Sequence, residues 1–244
     1  MYIIDVDRSL LQSLKTHLQR YKLRSKFQTL EIPPSQLQLF SIWPTFPPHV
    51  PNAETLNIID PRSPHLGNRL LSQKYPSSQP YPLEVYHLRR TLHGVPEGPE
   101  EIIEGSALPA ESNLDVMSGI DFTKGCYVGQ ELTSRTYHTG IIRKRLLPLS
   151  LYPVGGQVQE PMTLAYNASL SMILPPSGTA MAAEGEKRSP GKFLRGWGNV
   201  GWGLCRLDYV GRVLKCEWDG DTILAKPFLP AWGNREKNIG SVEQ

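Results

Sequence analysis

The sequence predicts an α+β fold that ends in a small β-barrel, and three observations support this prediction. Near the start, one amphipathic helix is followed by short alternating strands with brief links, which is typical of an α+β layer with an antiparallel sheet. After about residue 146 the pattern changes to short strands separated by turns, typical of a barrel or sandwich. The 244 residues suffice for two such cores. We therefore predict domains over 1–146 and 147–244.

The first domain is predicted to begin with a strand, a helix and two more strands. Residues 2–6 (YIIDV) resemble a strand, and Asp7 is placed to cap a helix over 8–20 whose leucines recur at helical spacing. The runs 26–32 (KFQTLEI) and 37–43 (LQLFSIW) are predicted to pair as antiparallel neighbours, each stopped by proline. Because a strand begins at once with no targeting segment before it, we expect the native protein to have an upstream region.

A second helix is predicted over residues 82–93, after a proline-rich run that carries one short strand, LNIID. Gly94 stands where a C-terminal cap favours a residue with positive φ, and a proline follows two residues later. Three side chains should face inward from this helix: Val85, Leu88 and Leu92.

In the second domain, the clearest local signal is the hairpin VLKCEW-DG-DTILAK, because Asp219-Gly220 suits a tight type I′ turn. The alternating pattern places Cys205 and Cys216 in the core. Residues 175–191 are poor in large apolar side chains, so we expect a mobile loop there.

Composition excludes several classes of function. A net charge of only +3 argues against a nucleic-acid partner. No apolar stretch approaches the roughly 18–20 residues of a membrane span, so we expect no membrane partner. The three cysteines form no CxxC pair, which favours a reducing compartment over a secreted disulfide framework.

The stretch 121–140, DFTKGCYVGQELTSRTYHTG, has the highest density of chemically useful residues. We expect a strand to end in GIDF and a helix to begin at Tyr127, which places Cys126 at a helix N-terminus beside Lys124. Backbone N–H groups and a nearby cation would lower the pKa of such a thiol, as suits a nucleophile or a metal ligand. The alternative is that Cys126 is a small buried hydrophobic residue.

The run KGCYVGQE within this stretch resembles the signature of the folate-binding branch of the glycine-cleavage T-protein superfamily, the GcvT/YgfZ family. LTSRTYHTGIIRKRLLPL, HLQRYKLRSKFQ, GVPEG and LPAESNLD are also similar. Among the branches, the mitochondrial iron–sulfur cluster assembly factors of fungal type look nearest. The resemblance implies a ring of sub-domains around a central pocket for tetrahydrofolate, and it implies a transit peptide and the mitochondrial matrix as location.

The resemblance also implies the site residues. Cys126 falls on the family cysteine, which is expected to share a 2Fe–2S cluster with an A-type scaffold partner. Glu111 matches the glutamate that holds the pterin ring in the transferase branch. The remaining cofactor-binding candidates lie in the same two matching segments and are Asn113, Lys124, Tyr127, Gln130 and Arg135.

Two functions from different classes remain open. The first is an assembly factor that acts late in 4Fe–4S cluster maturation with an A-type scaffold, without catalysis of its own. A cluster usually takes four protein ligands, so one well-placed thiol requires a partner that supplies the others. The alternative is a tetrahydrofolate-dependent one-carbon enzyme of the aminomethyltransferase type. Folate binding is compatible with both.

Overall fold

The computed structural model describes residues 2–43, 55–74, 79–155 and 161–232, which divide into a helix-and-sheet part and a barrel. Residues 44–54 and 75–78 of the proline-rich run before the second predicted helix lie outside the described residues, as does the chain beyond residue 232. Within the described residues, no helix is both long and apolar enough to cross a membrane.

The first predicted helix is confirmed. A 3₁₀ turn, Arg8–Leu10, leads into α1, Leu11–Tyr21. The carboxylate of Asp7 accepts hydrogen bonds from the Ser9 backbone N–H at 2.9 Å and from the Ser9 hydroxyl at 2.6 Å, so Asp7 caps this start as predicted. The leucines of α1 are half-buried and its other residues are mostly exposed.

A three-stranded antiparallel sheet follows, formed by β1 (Gln38–Ile42), β2 (Leu56–Ile59) and β3 (Asn68–Ser72) in the order β1-β3-β2. The strands predicted in 37–43 and in LNIID are therefore confirmed. The strands predicted over 2–6 and 26–32 are wrong, because both segments are irregular and almost entirely exposed. An alternating sequence forms a strand only where a neighbouring strand supplies hydrogen bonds. The expected partner of residues 26–32 was β1, but β1 pairs with β3.

The second predicted helix is confirmed as α2, Leu83–Leu92, and Gly94 follows it with φ at +70° as the cap requires. The three side chains predicted to face inward are only half-buried. The fully buried residues of α2 are instead Arg90 and Thr91, so the inner face of this helix is polar. Next comes α3, Gln130–Thr139.

The rest of the described chain forms a closed six-stranded antiparallel barrel in the order β4-β7-β6-β5-β8-β9. Its strands are β4 (Lys144–Pro153), β5 (Ala180–Ala182), β6 (Gly191–Trp197), β7 (Val200–Arg206), β8 (Leu214–Trp218) and β9 (Asp221–Pro227). The tight turn joining the last two strands is confirmed, since Asp219 and Gly220 have φ of 43° and 91°.

The barrel interior is the main hydrophobic core, and it confirms the placement of Cys205 and Cys216, both fully buried there. The mobility predicted for residues 175–191 stays a prediction, but the segment is not loop throughout. This segment contains β5, whose Met181 is buried in the core and pairs with Cys216 on one side and Gly191 on the other. Without β5 the barrel would remain open, so short side chains at this position do not indicate a loop.

Candidate functional site

A cavity of about 660 Å³ lies in the helix-and-sheet part and not beside the cysteine stretch. Its volume falls in the range of small-molecule sites. It is lined by the N-terminal segment, β1, the turn after β2, β3, and the start of α2 with the loop that follows it. The lining includes both aromatic and charged side chains, among them Phe40, Trp43, Arg62, Tyr81, Tyr86 and Glu97.

Arg62 is the centre of a hydrogen-bonded network in this wall. Its guanidinium donates to Asp60 at 2.7 Å and to Glu97 at 2.5 Å. The Tyr86 hydroxyl donates to the same Glu97 oxygen at 2.6 Å and accepts from Arg62 at 3.1 Å. The turn after β2 supplies Asp60 and Arg62, α2 supplies Tyr86, and the loop after α2 supplies Glu97. Three separate segments are thus held in one arrangement.

The network keeps its carboxylates ionised. Burial alone would raise the pKa of Asp60 and of Glu97, but the hydrogen bonds and charge of Arg62 outweigh burial and lower both. The pKa of Tyr86 is raised to about 12 by burial and by the adjacent Glu97 charge, so its phenol stays protonated as a donor.

The lining also holds a further ion pair and a pair of stacked rings. Arg69 forms an ion pair with Asp5, so the lining holds three carboxylates and two guanidiniums. The ring of Trp43 stacks with that of Tyr81 at 6.2 Å between centroids, with 23° between the planes. A wall of this kind suits a flat heteroaromatic ligand that donates hydrogen bonds to carboxylates.

Around Cys126 two local predictions are wrong. No strand forms in GIDF, and α3 begins at Gln130 after Gly129, whose φ is +83°. Cys126 therefore lies four residues before the helix, and the helix dipole falls off within its first turn. The alternative of a small buried hydrophobic residue is also wrong, because the thiol is exposed.

The structure brings three predicted residues together in the segment that carries this thiol. The Gln130 side-chain oxygen accepts from the Tyr127 backbone N–H at 3.1 Å, which fixes the turn into α3. The Lys124 ammonium lies 4.6 Å from the centre of the Tyr127 ring, a cation–π distance. The Tyr127 hydroxyl is buried, with no hydrogen-bond partner among the described residues. Tyr127 thus anchors the segment that presents Cys126.

Glu111 and Asn113 lie elsewhere, against the start of the barrel. Asn113 is fully buried and donates through Nδ2 to the Leu146 carbonyl at 2.7 Å, while the Glu111 carbonyl accepts from Leu146 N–H at 2.7 Å. The Glu111 side chain is half-buried beside a separate cavity of about 30 Å³. In the same segment, Asp115 binds the buried Arg145 through two bonds of 2.8 and 2.9 Å.

None of the sequence-selected residues lines the larger cavity. Arg135 lies on α3, beyond the cluster of Lys124, Tyr127 and Gln130. Sequence reasoning missed Arg62 and Glu97, which are 35 residues apart. A signal was present for each: a carboxylate and an arginine directly after the apolar strand β2, and the glutamate inside the GVPEG motif.

These features define a class: an α+β part with a polar and aromatic cavity, an exposed thiol, and a C-terminal β-barrel. Residues 143–234 match the family described as CAF17, C-terminal beta-barrel domain. Over the whole chain, a protein of Aspergillus fumigatus is 39% identical, and one of Neurospora crassa is 39% identical over 96% of the chain. A Pyricularia oryzae protein is 40% identical over 86% of the chain.

All three relatives carry the name iron-sulfur cluster assembly factor IBA57 homolog, mitochondrial. The chain belongs to this family, which confirms the resemblance that the signature indicated. The relatives' names also agree with the predicted mitochondrial location. The chain spans 61% of the length of the Aspergillus and Neurospora proteins and 56% of the Pyricularia protein. The predicted ring of sub-domains stays a prediction.

Proposed function

We propose that this chain is part of a mitochondrial iron–sulfur cluster assembly factor that acts late in 4Fe–4S maturation, with Cys126 as a ligand to a cluster shared with an A-type scaffold. The observation that carries this proposal is the contrast among the three thiols. Cys126 is exposed, whereas Cys205 and Cys216 are fully buried in the barrel. The naming of the relatives as assembly factors supports the same reading.

The shared cluster follows from counting ligands. A 2Fe–2S cluster takes four protein ligands, in most cases thiolates. The barrel thiols are unsuitable, because burial raises the pKa of both and the thiolate is the ligating form. One accessible thiol leaves three positions for a partner. A scaffold that carries its own cysteines is a partner of the required chemistry.

The surroundings of Cys126 suit such docking. Lys124, two residues before Cys126 in the chain, would offset part of the negative charge of a thiolate-bound cluster. Exposed apolar side chains flank the segment on α3 and its two ends: Val128, Leu132, Tyr137 and Ile141. The Tyr137 ring stacks on Phe122 at 3.8 Å between centroids, which ties α3 to the segment before Cys126.

Reconstitution tests the shared cluster. The whole chain is mixed with an A-type scaffold, ferric iron and sulfide, and the complex is isolated by gel filtration and examined by visible absorption. We expect cluster absorption to co-elute with both proteins, and Cys126→Ser to abolish that peak. Cys216→Ala is the control and should retain the peak. A cluster of unchanged yield on the Cys126→Ser complex would contradict the proposal.

We propose further that the 660 Å³ cavity is where a reduced folate would bind. The residues present fit the pterin, because its amino groups can donate to Glu97 or Asp60 and the lining supplies aromatic rings against which its ring can pack. Bound folate would supply one-carbon chemistry. The chain's residues would only hold and orient it. Titration of tetrahydrofolate should give an affinity at least about tenfold weaker for Glu97→Gln.

The variant Glu111→Gln separates the two candidate folate positions. If the cavity binds the pterin, this change should leave the affinity for tetrahydrofolate unchanged, whereas a loss confined to Glu111→Gln would support the sequence-based assignment instead. Folate binding does not choose between assembly factor and enzyme. The one-carbon enzyme remains the alternative, and aminomethyl transfer to tetrahydrofolate by the full-length protein, abolished by Glu97→Gln, would establish it.

A further inference from the structure

The stretch that contains α1 and the turn after it is strongly and uniformly basic. Residues 8–30 contain six lysines and arginines and no acidic residue. The whole chain has a net charge of +3, so the remaining residues together carry −3. The positive charge of this protein is therefore concentrated in one short stretch, which neither the cavity nor the Cys126 segment uses.

At the end of α1 the chain turns and presents a leucine to solvent. The Ser25 N–H donates to the Lys22 carbonyl at 2.9 Å, and this bond closes the turn. Leu23 within the turn has φ of +48°, a left-handed conformation that is unfavourable for a residue with a Cβ. Its side chain is 88% exposed. A strained position that holds an apolar side chain in water is a candidate for function.

Cations and aromatic rings surround this leucine. Leu23 is flanked by four cations, Arg20, Lys22, Arg24 and Lys26. Among the described residues, none of the four has a salt-bridge partner. The Arg20 guanidinium lies 5.7 Å from the centre of the Tyr21 ring, and the Lys22 ammonium lies 5.3 Å from that of Phe27. Both rings are partly exposed, as is Leu30 a few residues further on.

We propose that residues 20–27 dock on an anionic lipid surface, with Leu23 inserted among the acyl chains and the four cations at the headgroups. The half-buried leucine face of α1 stays with the protein, so only the tip reaches the bilayer. Anionic lipids attract clustered lysines and arginines, and aromatic rings favour the interface. A nucleic acid would use the cations but would leave the exposed leucine without a role.

This attachment differs from a membrane span. No helix among the described residues could cross a membrane, and a protein that lies on the surface needs none. The inference is independent of the cluster and folate proposals, because it involves neither Cys126 nor the cavity. The lipid-docking inference is nevertheless compatible with the cluster proposal, since a chain attached to a membrane through residues 20–27 leaves the Cys126 segment available to a partner.

Vesicle flotation tests the proposal on the whole chain. We expect binding to phosphatidylcholine vesicles that contain about a third phosphatidylglycerol, release as salt rises towards 1 M, and little binding to pure phosphatidylcholine. The double variant Lys22→Gln/Arg24→Gln should bind about 30-fold more weakly. Its matched control is Lys187→Gln/Arg188→Gln, which changes two adjacent exposed basic residues after β5 and should bind like the parent chain.

Leu23→Gly provides the sharper test. Glycine accepts a positive φ freely, so the thermal midpoint should stay the same or rise, while vesicle binding should fall about tenfold. Ile173→Gly, at another exposed apolar residue, is the control and should not weaken vesicle binding. Unchanged binding by Leu23→Gly would overturn the proposal. So would binding of the parent chain to an RNA oligonucleotide or an acidic protein but to no anionic vesicle.

Discussion

Arg90 and Glu101 form a bidentate ion pair, with nitrogen–oxygen distances of 2.5 and 2.6 Å, and both side chains are almost fully buried. Arg90 lies on α2 and Glu101 on the loop that follows it. The Glu101 carboxylate also accepts from the Glu97 backbone N–H at 2.9 Å. The buried pair therefore sets the position of the loop that carries Glu97 into the cavity wall.

Removing one partner of this pair should be costly. Glu101→Ala leaves the guanidinium of Arg90 buried without its counter-charge, so we expect the free energy of unfolding to fall by about 3–5 kcal/mol. Urea unfolding followed by circular dichroism measures this loss. Glu217→Ala, which breaks an exposed pair with Lys215, is the control and should cost less than about 1 kcal/mol. Equal losses of unfolding free energy in the two variants would show that burial does not determine how much the Arg90–Glu101 pair contributes to stability.

The stability should depend on pH through His93. Its ring stacks on His65 at 5.2 Å between centroids, and burial, with the nearby Arg89 charge, lowers the His93 pKa to about 4. The unfolded chain, with a pKa near 6.5, then binds more protons between pH 4 and 6.5. Stability should therefore rise with pH across this window, by about 1 kcal/mol since the ring is partly exposed.

Thermal unfolding between pH 4 and 7 tests this dependence. His93→Gln should flatten the rise in midpoint across the window, because glutamine does not titrate there. His17→Gln, at an exposed imidazole on α1, should retain the rise. If the thermal midpoint of His93→Gln rose with pH as much as that of the parent chain, groups other than His93 would be responsible for the pH dependence.

Native alkylation should modify a single thiol. Cys126 is exposed, whereas burial raises the pKa of Cys216 to about 12 and raises that of Cys205 with a contribution from Cys216 itself. Iodoacetamide at neutral pH should therefore label Cys126 alone, as read by peptide mass spectrometry, and all three after denaturation. Comparable labelling of a barrel cysteine in the native chain would contradict the buried placement.

Local signals predicted the elements that depend on few residues. Asp7 capped its helix, Gly94 ended the second, and Asp219-Gly220 turned its hairpin, because each preference lies within a few neighbouring residues. The strand predictions for 2–6 and 26–32 were wrong because a strand needs a neighbouring strand, and an alternating sequence does not show which segment that neighbour is. Likewise, β5 has only small residues and one methionine, and its place follows from the neighbouring strands that it joins.

The same distinction between local signals and tertiary packing applies to the candidate site. The core placement of Cys205 and Cys216 was predicted from the local strand pattern, whereas the exposure of Cys126 was not, because the sequence also allowed a buried thiol there. The cavity network was not predicted either, since Arg62 meets Glu97 only through the packing of α2 against the turn after β2. Asn113 lies in a matching segment, yet the structure shows its amide bonded to the barrel, a contact that no local pattern records.

Gly94 should tolerate no side chain, for two separable reasons. Its φ of +70° strains any residue with a Cβ, and a methyl group there would overlap the ring of Pro230. Its carbonyl also accepts from the Trp232 indole at 3.1 Å. We expect Gly94→Ala to lower the unfolding free energy by more than about 2 kcal/mol.

Gly178→Ala isolates the conformational part of that loss, because Gly178 has φ of +91° and no atom near the position of an added Cβ. It should cost only about 1 kcal/mol. Denaturant unfolding of both variants under identical conditions makes the comparison. If Gly178→Ala proved as costly as Gly94→Ala, the contact with Pro230 would contribute nothing measurable.

Met181 decides whether residues 175–191 are a structural part of the barrel. Its side chain is almost fully buried in the core, and β5 bridges β6 and β8 to close the barrel. Met181→Ala removes buried apolar volume, so we expect a loss of about 2–5 kcal/mol in unfolding free energy. Met162→Ala changes an exposed methionine in the segment before β5 and should cost under about 0.5 kcal/mol. A mobile loop would make the two methionine variants equally harmless, and near-identical urea midpoints for both would reject β5 as the strand that closes the barrel.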